Sequence, residues 1–313
     1  MIIVVEGTDL SGKSTFVKTL REYRPDLELV KCSAPKPKAD PFIEYEHVLY
    51  PFIDSDTPVV CDRLHWGERV YGPLIRGRDR LGVAGWRHVE LFLVAHGAVG
   101  VYMIQDESTL TSRYQVRGDE HRTLHEILRA RERYRDECLP DTILPWFTPD
   151  DTSFQTVQKI LSRANWGSLK PPDPCYIGKP WPNALLFGEK RNVTTDRSAF
   201  VPRGSTSGRW LLEYLPDPFW RRIGITNACE DSDPVQTWEW AGRPPAVALG
   251  RKAHEALVKA NVPHSAVPHP QYVRRFLHAD LVEYGRLIES VVGQNTDHLK
   301  WRGERETEDL IQS

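Results

Sequence analysis

Gly7-Thr8-Asp9-Leu10-Ser11-Gly12-Lys13-Ser14 fits the pattern GxxxxGK[ST], and the architecture of the first half of the chain follows from it. Before it runs Met1–Glu6, a short apolar and β-branched stretch that reads as a buried parallel strand. Behind it, Ser14–Glu22 has helical spacing with Phe16, Val17 and Leu20 on one face. In a strand, glycine loop and helix of this kind, loop N–H groups and the positive end of the helix cradle phosphates. Gly7 and Gly12 permit backbone angles and close approach that side chains would block. Lys13 then reaches the β/γ oxygens of a triphosphate, and Ser14 offers a metal ligand. ATP and Mg²⁺ are therefore the expected cofactors, with Gly7, Asp9, Ser11, Gly12, Lys13, Ser14 and Thr15 around the nucleotide.

The surrounding pattern agrees. Apolar runs at Leu27–Val30, Pro58–Cys61, Val99–Ile104 and Ile143–Phe147 alternate with helical stretches near 85–96 and 123–138. That alternation implies a parallel sheet with helices on both faces. A segment rich in Gly, Ser and Pro, 167–175, reads as a linker between a domain at 1–166 and a second at 176–300, with a polar tail at 301–313. In the second, strands at 184–187, 224–227 and 246–249 alternate with helices near 208–214, 253–259 and 275–292. The fold class expected is α/β throughout, as two units.

Bulk composition sets limits. Lys and Arg number 41 against 43 Asp and Glu, so nucleic acid is not held by overall charge, and any such contact comes from local patches. Five cysteines without a CxxC pair argue for a reducing compartment and against a disulfide framework. With no signal peptide or membrane-length apolar run, the expected location is the cytoplasm of a bacterium or phage-infected host. No membrane partner is expected, and a homodimer is compatible with the sequence.

Glu6–Thr15 resembles the EGxDxxGKST loop of thymidylate kinases. That resemblance implies that Asp9 binds a deoxyribose hydroxyl of the acceptor. Cys61-Asp62-Arg63 resembles the family's Asp-Arg pair after the third strand. Arg63 would then fork onto the acceptor phosphate, and Asp62 would lie near the metal or the attacking oxygen; an ordinary ion pair at a strand end is the plainer alternative. Ser112–Arg122 resembles an arginine-bearing lid, whose Arg113, Arg117 and Arg122 would neutralise transition-state charge or else form a solvated basic loop. His121 and His125 lack a third ligand and read as surface histidines. The match departs at Lys31–Asp40, where the family carries an Arg-Glu-Pro-Gly type segment, so the acceptor pocket is rebuilt. Leu64–Pro73 would line it, with Trp66 and Tyr71 either stacking on a base or packing in the core.

The second half resembles the uracil-DNA glycosylase superfamily. Phe187–Asn192 stands at its first motif, and Ala199–Leu212 resembles the stretch whose phenylalanine stacks on a flipped base, here Phe200. Ile225–Ala228 resembles the strand whose asparagine reads the uracil edge, here Asn227, and His269-Pro270 opens the final motif. The resemblance implies a uracil-DNA glycosylase-like fold and a base-reading role for Phe200, Asn227 and His269. It departs where members place an Asp or Asn to activate water, because this chain has Lys190 and Arg191, and a cationic lysine is no general base. Lys190, Arg191, Arg203 and Arg209 would form a phosphate patch or a solvated face.

Together these readings anticipate an ATP-dependent kinase acting on a thymine-type pyrimidine deoxynucleotide. The acceptor is a free nucleotide or a base in DNA, with modified bases such as hydroxymethyluracil and a phage source in view. The rivals are a DNA repair glycosylase with an accessory P-loop domain, and a nucleotide-gated DNA-binding module without transfer.

Overall fold

A computed structural model describes residues 1–32, 40–149, 154–164, 171–173, 175–189, 207–228, 233–274 and 281–304. It divides into two compact units, Met1–Lys170 and Pro171–Ser313.

The first unit is built on five parallel strands, β1 (Ile2–Gly7), β2 (Glu28–Lys31), β3 (Val59–Asp62), β4 (Val99–Met103) and β5 (Trp146–Phe147), in the order β2-β3-β1-β4-β5. The helices are α1 (Lys13–Tyr23), α2 (Pro41–Ser55), α3 (His65–Arg76), α4 (Gly82–Ala95), α5 (Glu107–Arg117), α6 (Leu124–Arg133) and α7 (Phe154–Ala164). Successive strand residues point to opposite faces, and the core divides accordingly. Ile3, Val5, Val99, Val101 and Met103 pack on one face with Phe16, Val17 and Leu20 of α1 and Val157 and Ile160 of α7. Tyr102, of opposite parity, joins Trp66, Val70 and Tyr71 of α3, Trp86 of α4 and Ala130 of α6 on the other. Each large apolar side chain removed from water contributes about 1.5–3 kcal/mol.

The sequence reading missed α2 and α3. Both carry an internal proline, Pro51 and Pro73, which broke the pattern that would have announced a helix. The expected lid loop is helical up to Arg117, with Asp106 capping α5 by accepting from the Thr109 N–H at 2.7 Å. The single helix read over 123–138 is α6 followed by a π-helical turn, Tyr134–Cys138.

In the second unit, β6 (Ile177–Gly178), β7 (Ala184–Gly188), β8 (Ile223–Asn227), β9 (Ala246–Leu249) and β10 (His264–Val267) run in the order β10-β9-β7-β8-β6, with only β6 antiparallel. Helices α8 (Ser207–Tyr214), α9 (Pro234–Trp240), α10 (Arg251–Lys259), α11 (Pro270–Tyr272) and α12 (Leu281–Glu304) accompany them. β7 is wholly buried, as expected for an apolar run covered on both faces. β10 escaped the sequence reading because His264, Ser265 and Ala266 lack an apolar alternation. Asp173 anchors the start of this unit to β8, taking hydrogen bonds from the Cys175 N–H at 2.8 Å and from the Thr226 hydroxyl.

Candidate active site

In the first sheet β1 has β3 on one side and β4 on the other, so the chain reverses its winding at β1 and opens a crevice at that strand's carboxyl end. The phosphate loop fills this position. At Gly7 φ is 141°, and a Cβ there would sit 2.6 Å from the Met103 carbonyl oxygen. Gly12, with φ of 97°, is the left-handed N-cap of α1. Lys13 opens that helix; its side chain is buried, and Nζ donates to the Thr8 carbonyl. Burial first, and Arg63 second, bring the Lys13 ammonium down to about 7 against the pull of Asp9, Asp62 and Glu6. Ser11 Oγ is buried without a hydrogen-bond partner among the described residues.

Asp9 is the hub of a polar cluster beside the loop. Its carboxylate pairs with the Arg63 guanidinium and accepts from the Tyr71 hydroxyl at 3.2 Å, while the Asp9 N–H donates back to that hydroxyl at 3.3 Å. Burial alone would raise the Asp9 carboxyl, but Arg63 and Lys13 outweigh it and hold the group below the usual range. The Arg63 guanidinium also lies 5.1 Å from the centre of the Tyr71 ring, within cation–π reach. Arg63 itself has φ of 67°, a left-handed conformation that a non-glycine residue keeps only when its surroundings hold it.

A cleft of about 1020 Å³ opens over the loop, lined by residues 9–15 together with Lys31, Cys32, Asp62, Arg63, Arg113 and Arg117. Arg113 reaches back from α5 so that Nη1 donates to the Leu10 carbonyl at 2.7 Å. Arg122 stands apart from these two, its guanidinium 5.8 Å from the Tyr71 ring. The donor set fits a triphosphate with Mg²⁺: a buried orphan hydroxyl at Ser11, a lysine at the helix start, and the Ser14 hydroxyl and Asp62 carboxylate in one cleft. Burial, then Glu6 and Asp62, push the Cys32 thiol up to about 12, so it offers no thiolate to the cleft.

Of the two roles the sequence leaves open for Trp66, stacking on a base and packing in the core, the structure selects packing and takes it out of the acceptor pocket. Trp66 is 1 % exposed and packs in the core against Trp86 and Tyr102. Its Nε1 donates at 3.0 Å to Glu90 Oε1, which also meets His65 Nε2 at 2.6 Å. Glu90 Oε2 accepts from the Thr142 hydroxyl and the Ile143 N–H, both at 2.7 Å. This buried carboxylate ties α4 to the start of α3 and to the segment before β5, a role invisible in the sequence because its partners are scattered from 65 to 144. Among the described residues no group of three or more His, Cys, Asp or Glu side chains forms a metal cluster.

In the second unit Asn227 ends β8, buried and in register with Gly188 of β7. His269 caps α11, its Nδ1 accepting from the Gln271 N–H at 3.2 Å. A Cβ at Gly250 would lie 2.2 Å from Glu189 Oε1 and 2.9 Å from the His269 Cβ, so these two residues close on one point at the carboxyl end of β9. Phe200, Lys190, Arg191 and Arg203 lie outside the described residues. Arg209 is half exposed and pairs with Glu213 at 3.4 Å. Among the described residues no helix is long and apolar enough to cross a membrane.

No protein-family model and no curated protein matches this chain. Among solved structures, the YorR protein from Bacillus subtilis in complex with phosphorylated GDP is 24% identical, over 53% of this chain and 96% of that one, with a TM-score of 0.44. Deoxyadenosine kinase from M. mycoides with bound dCTP is 15% identical, over 53% of this chain and 100% of that one, at 0.33. The same enzyme with bound dATP is 15% identical, over 53% and 99%, at 0.31. Likeness at this level, over half the chain, leaves the assignment of activity to the geometry of the site.

Proposed function

We propose that the first unit is an ATP- and Mg²⁺-dependent phosphotransferase whose acceptor is a thymine-type pyrimidine deoxynucleotide. The reading extends to a modified base such as hydroxymethyluracil, in a nucleotide or within DNA, with the second unit reading the base. The observation that carries the kinase class is the convergence of Lys13, Asp62 and Arg113 on one cleft over a glycine-cornered loop. The acceptor rests on the resemblance of the loop and of Asp62-Arg63 to thymidylate kinases, and on Asp9 lying beside Arg63 and Tyr71.

The chain's own groups suffice for a transfer governed by positioning and charge. Backbone amides at the start of α1, from Gly12 to Ser14, hold the β- and γ-phosphates, and Lys13 neutralises the oxygens that gain charge. Arg113 and Arg117 face the same region from α5, and each such donor is worth about 2.7–4 kcal/mol in the transition state. Arg63 exchanges its contact with Asp9 for the acceptor phosphate, and Asp9 is left to orient the sugar. For an acceptor that attacks through a hydroxyl, such as a hydroxymethyl base, Asp62 would take the hydroxyl proton; a nucleoside monophosphate attacks through an anionic phosphate oxygen and needs no base. The Ser14 hydroxyl and the Asp62 carboxylate would hold Mg²⁺, which would supply charge neutralisation to the phosphates.

The test is incubation with γ-labelled ATP and Mg²⁺ against dTMP, hydroxymethyl-dUMP and DNA containing thymine, uracil or hydroxymethyluracil. Label on a pyrimidine deoxynucleotide or on DNA supports the reading, and label in DNA alone selects its narrower form. ATP binding without label on any acceptor would sink it.

A further inference from the structure

We propose that Glu6 is the positioning residue of the acceptor side, its buried carboxylate fixing the start of α3 and so holding Arg63 and Tyr71 against Asp9. This rests on the phosphotransferase reading and deepens it.

Glu6 precedes the loop on β1 and is 1 % exposed, on the face opposite Ile3 and Val5. A carboxylate in such a place is costly unless donors satisfy it, and three do. Oε1 accepts from the Leu64 N–H at 2.7 Å and the Gly67 N–H at 3.4 Å; Oε2 accepts from the Tyr134 hydroxyl at 2.9 Å. Leu64 is the N-cap of α3, and Gly67 lies in its first turn. Glu6 therefore supplies a negative charge and two bonds to a helix start whose N-cap residue has no capping side chain.

The consequence lies one residue away. β1 and β3 are in register as far as Val5 and Asp62, and Arg63 adds one more rung, its N–H donating to the Val5 carbonyl at 2.9 Å. The chain then leaves the sheet through the left-handed Arg63, and the next N–H, that of Leu64, finds a side chain of β1 instead of its backbone. Glu6 thus holds the far side of the turn that aims the guanidinium at Asp9. Tyr71 stands one helical turn beyond Gly67, and its ring meets that of Tyr134 at 6.3 Å and 77°. A Cβ on Gly67 would lie 3.9 Å from both Glu6 Oε2 and the Tyr134 hydroxyl and 4.0 Å from Arg63 Cδ, so the three partners converge at one point. The nucleotide amides make none of these hydrogen bonds, and Glu6 reaches Lys13 through its charge alone. Loosening Glu6 should therefore weaken acceptor binding far more than ATP binding, with E6Q separating loss of the charge from loss of the bonds.

The experiment compares wild type, E6A, E6Q and Y134F with whichever of dTMP, hydroxymethyl-dUMP or hydroxymethyluracil DNA the wild type labels. In E6A the acceptor KM is expected to rise at least tenfold while the ATP KM moves less than twofold. E6Q, which keeps an oxygen for the two amides, is expected to stay within threefold of wild type. Y134F is expected to raise the acceptor KM alone, and it carries the test should E6A not fold. Equal rises in both KM values, an unchanged acceptor KM in E6A, or E6Q matching E6A would each overturn the proposal. A wild type that labels nothing instead defeats the phosphotransferase reading on which it rests.

Discussion

Arg63 leaves β3 in a left-handed turn, and its guanidinium lands on the carboxylate of Asp9, which belongs to the phosphate loop 54 residues earlier. Donor and acceptor sides of the cleft are thereby joined by one ion pair, each side chain about a quarter exposed. A pair so placed is worth more than a surface bridge, and the guanidinium, which here meets one Asp9 oxygen, has the fork that a phosphate can take at two. Replacing Arg63 by Ala should cost about 2 kcal/mol in transition-state binding, roughly 30-fold in kcat/KM. Lysine at this position should not restore it, because a point charge cannot take both oxygens. Steady-state kinetics of the two variants decide the matter: full activity in R63K would remove the bidentate role.

Lys13 gives a prediction in protons. Its ammonium is brought from an ordinary 10.5 to about 7 by burial and Arg63. Between those values the unfolded chain holds the proton more firmly than the folded one, so this group's contribution to stability rises with pH across the window and falls as pH drops toward 7. A bound triphosphate restores the charge. At pH 8, ATP binding should therefore take up a fraction of a proton, visible as a binding enthalpy that changes with the ionisation enthalpy of the buffer. K13A should lose both the proton uptake and all label transfer. Uptake that persists in K13A would place it elsewhere.

Arg113 and Arg122, both assigned above to the proposed lid, make different contacts. Arg113 bonds the Leu10 carbonyl in the loop, whereas Arg122 stands by the Tyr71 ring. R113A should lower kcat about 100-fold with little change in acceptor KM, as expected for a group acting on transition-state charge. R122A should act mainly on the acceptor KM. Identical effects in the two variants would show that the lid works as one undivided cation.

The loop was legible because its chemistry is local: two glycines, a lysine and a serine within eight residues, between a strand and a helix, define it. Trp66 was not, since neither packing nor stacking could be chosen from the spacing of aromatics. What decides it is Glu90, which takes the Trp66 indole N–H from a helix 24 residues on. Long-range carboxylates of this kind leave no trace in periodicity. Nor do α2 and α3, whose internal prolines mask helices that only packing stabilises. W66A should therefore destabilise the protein by about 3–5 kcal/mol, seen as a lower midpoint in denaturant. W66F, which keeps most of the volume, should leave acceptor preference unchanged; an altered preference in a folded W66F would return Trp66 to the pocket.

The proposal that the second unit reads a base without cutting it out has its own test. β7 has β8 on one side and β9 on the other, so a crevice opens where Gly188, Asn227 and Gly250 end their strands or follow them. Burial lowers the His269 pKa below its ordinary 6.5, with Glu189 opposing the shift. The imidazole is thus neutral at pH 7, and its contribution to stability, complete above about 6.5, fades as pH falls because the unfolded chain takes the proton first. Base reading, the role proposed above for this unit, calls for neutral hydrogen-bonding groups of this kind. Uracil- and hydroxymethyluracil-containing DNA should therefore bind without yielding free base or abasic sites. N227A should weaken that binding by about tenfold, the worth of one good hydrogen bond to a buried partner, and leave ATP binding untouched. Abasic sites produced by wild type and lost in N227A, but retained in K13A, would make this unit a glycosylase in its own right.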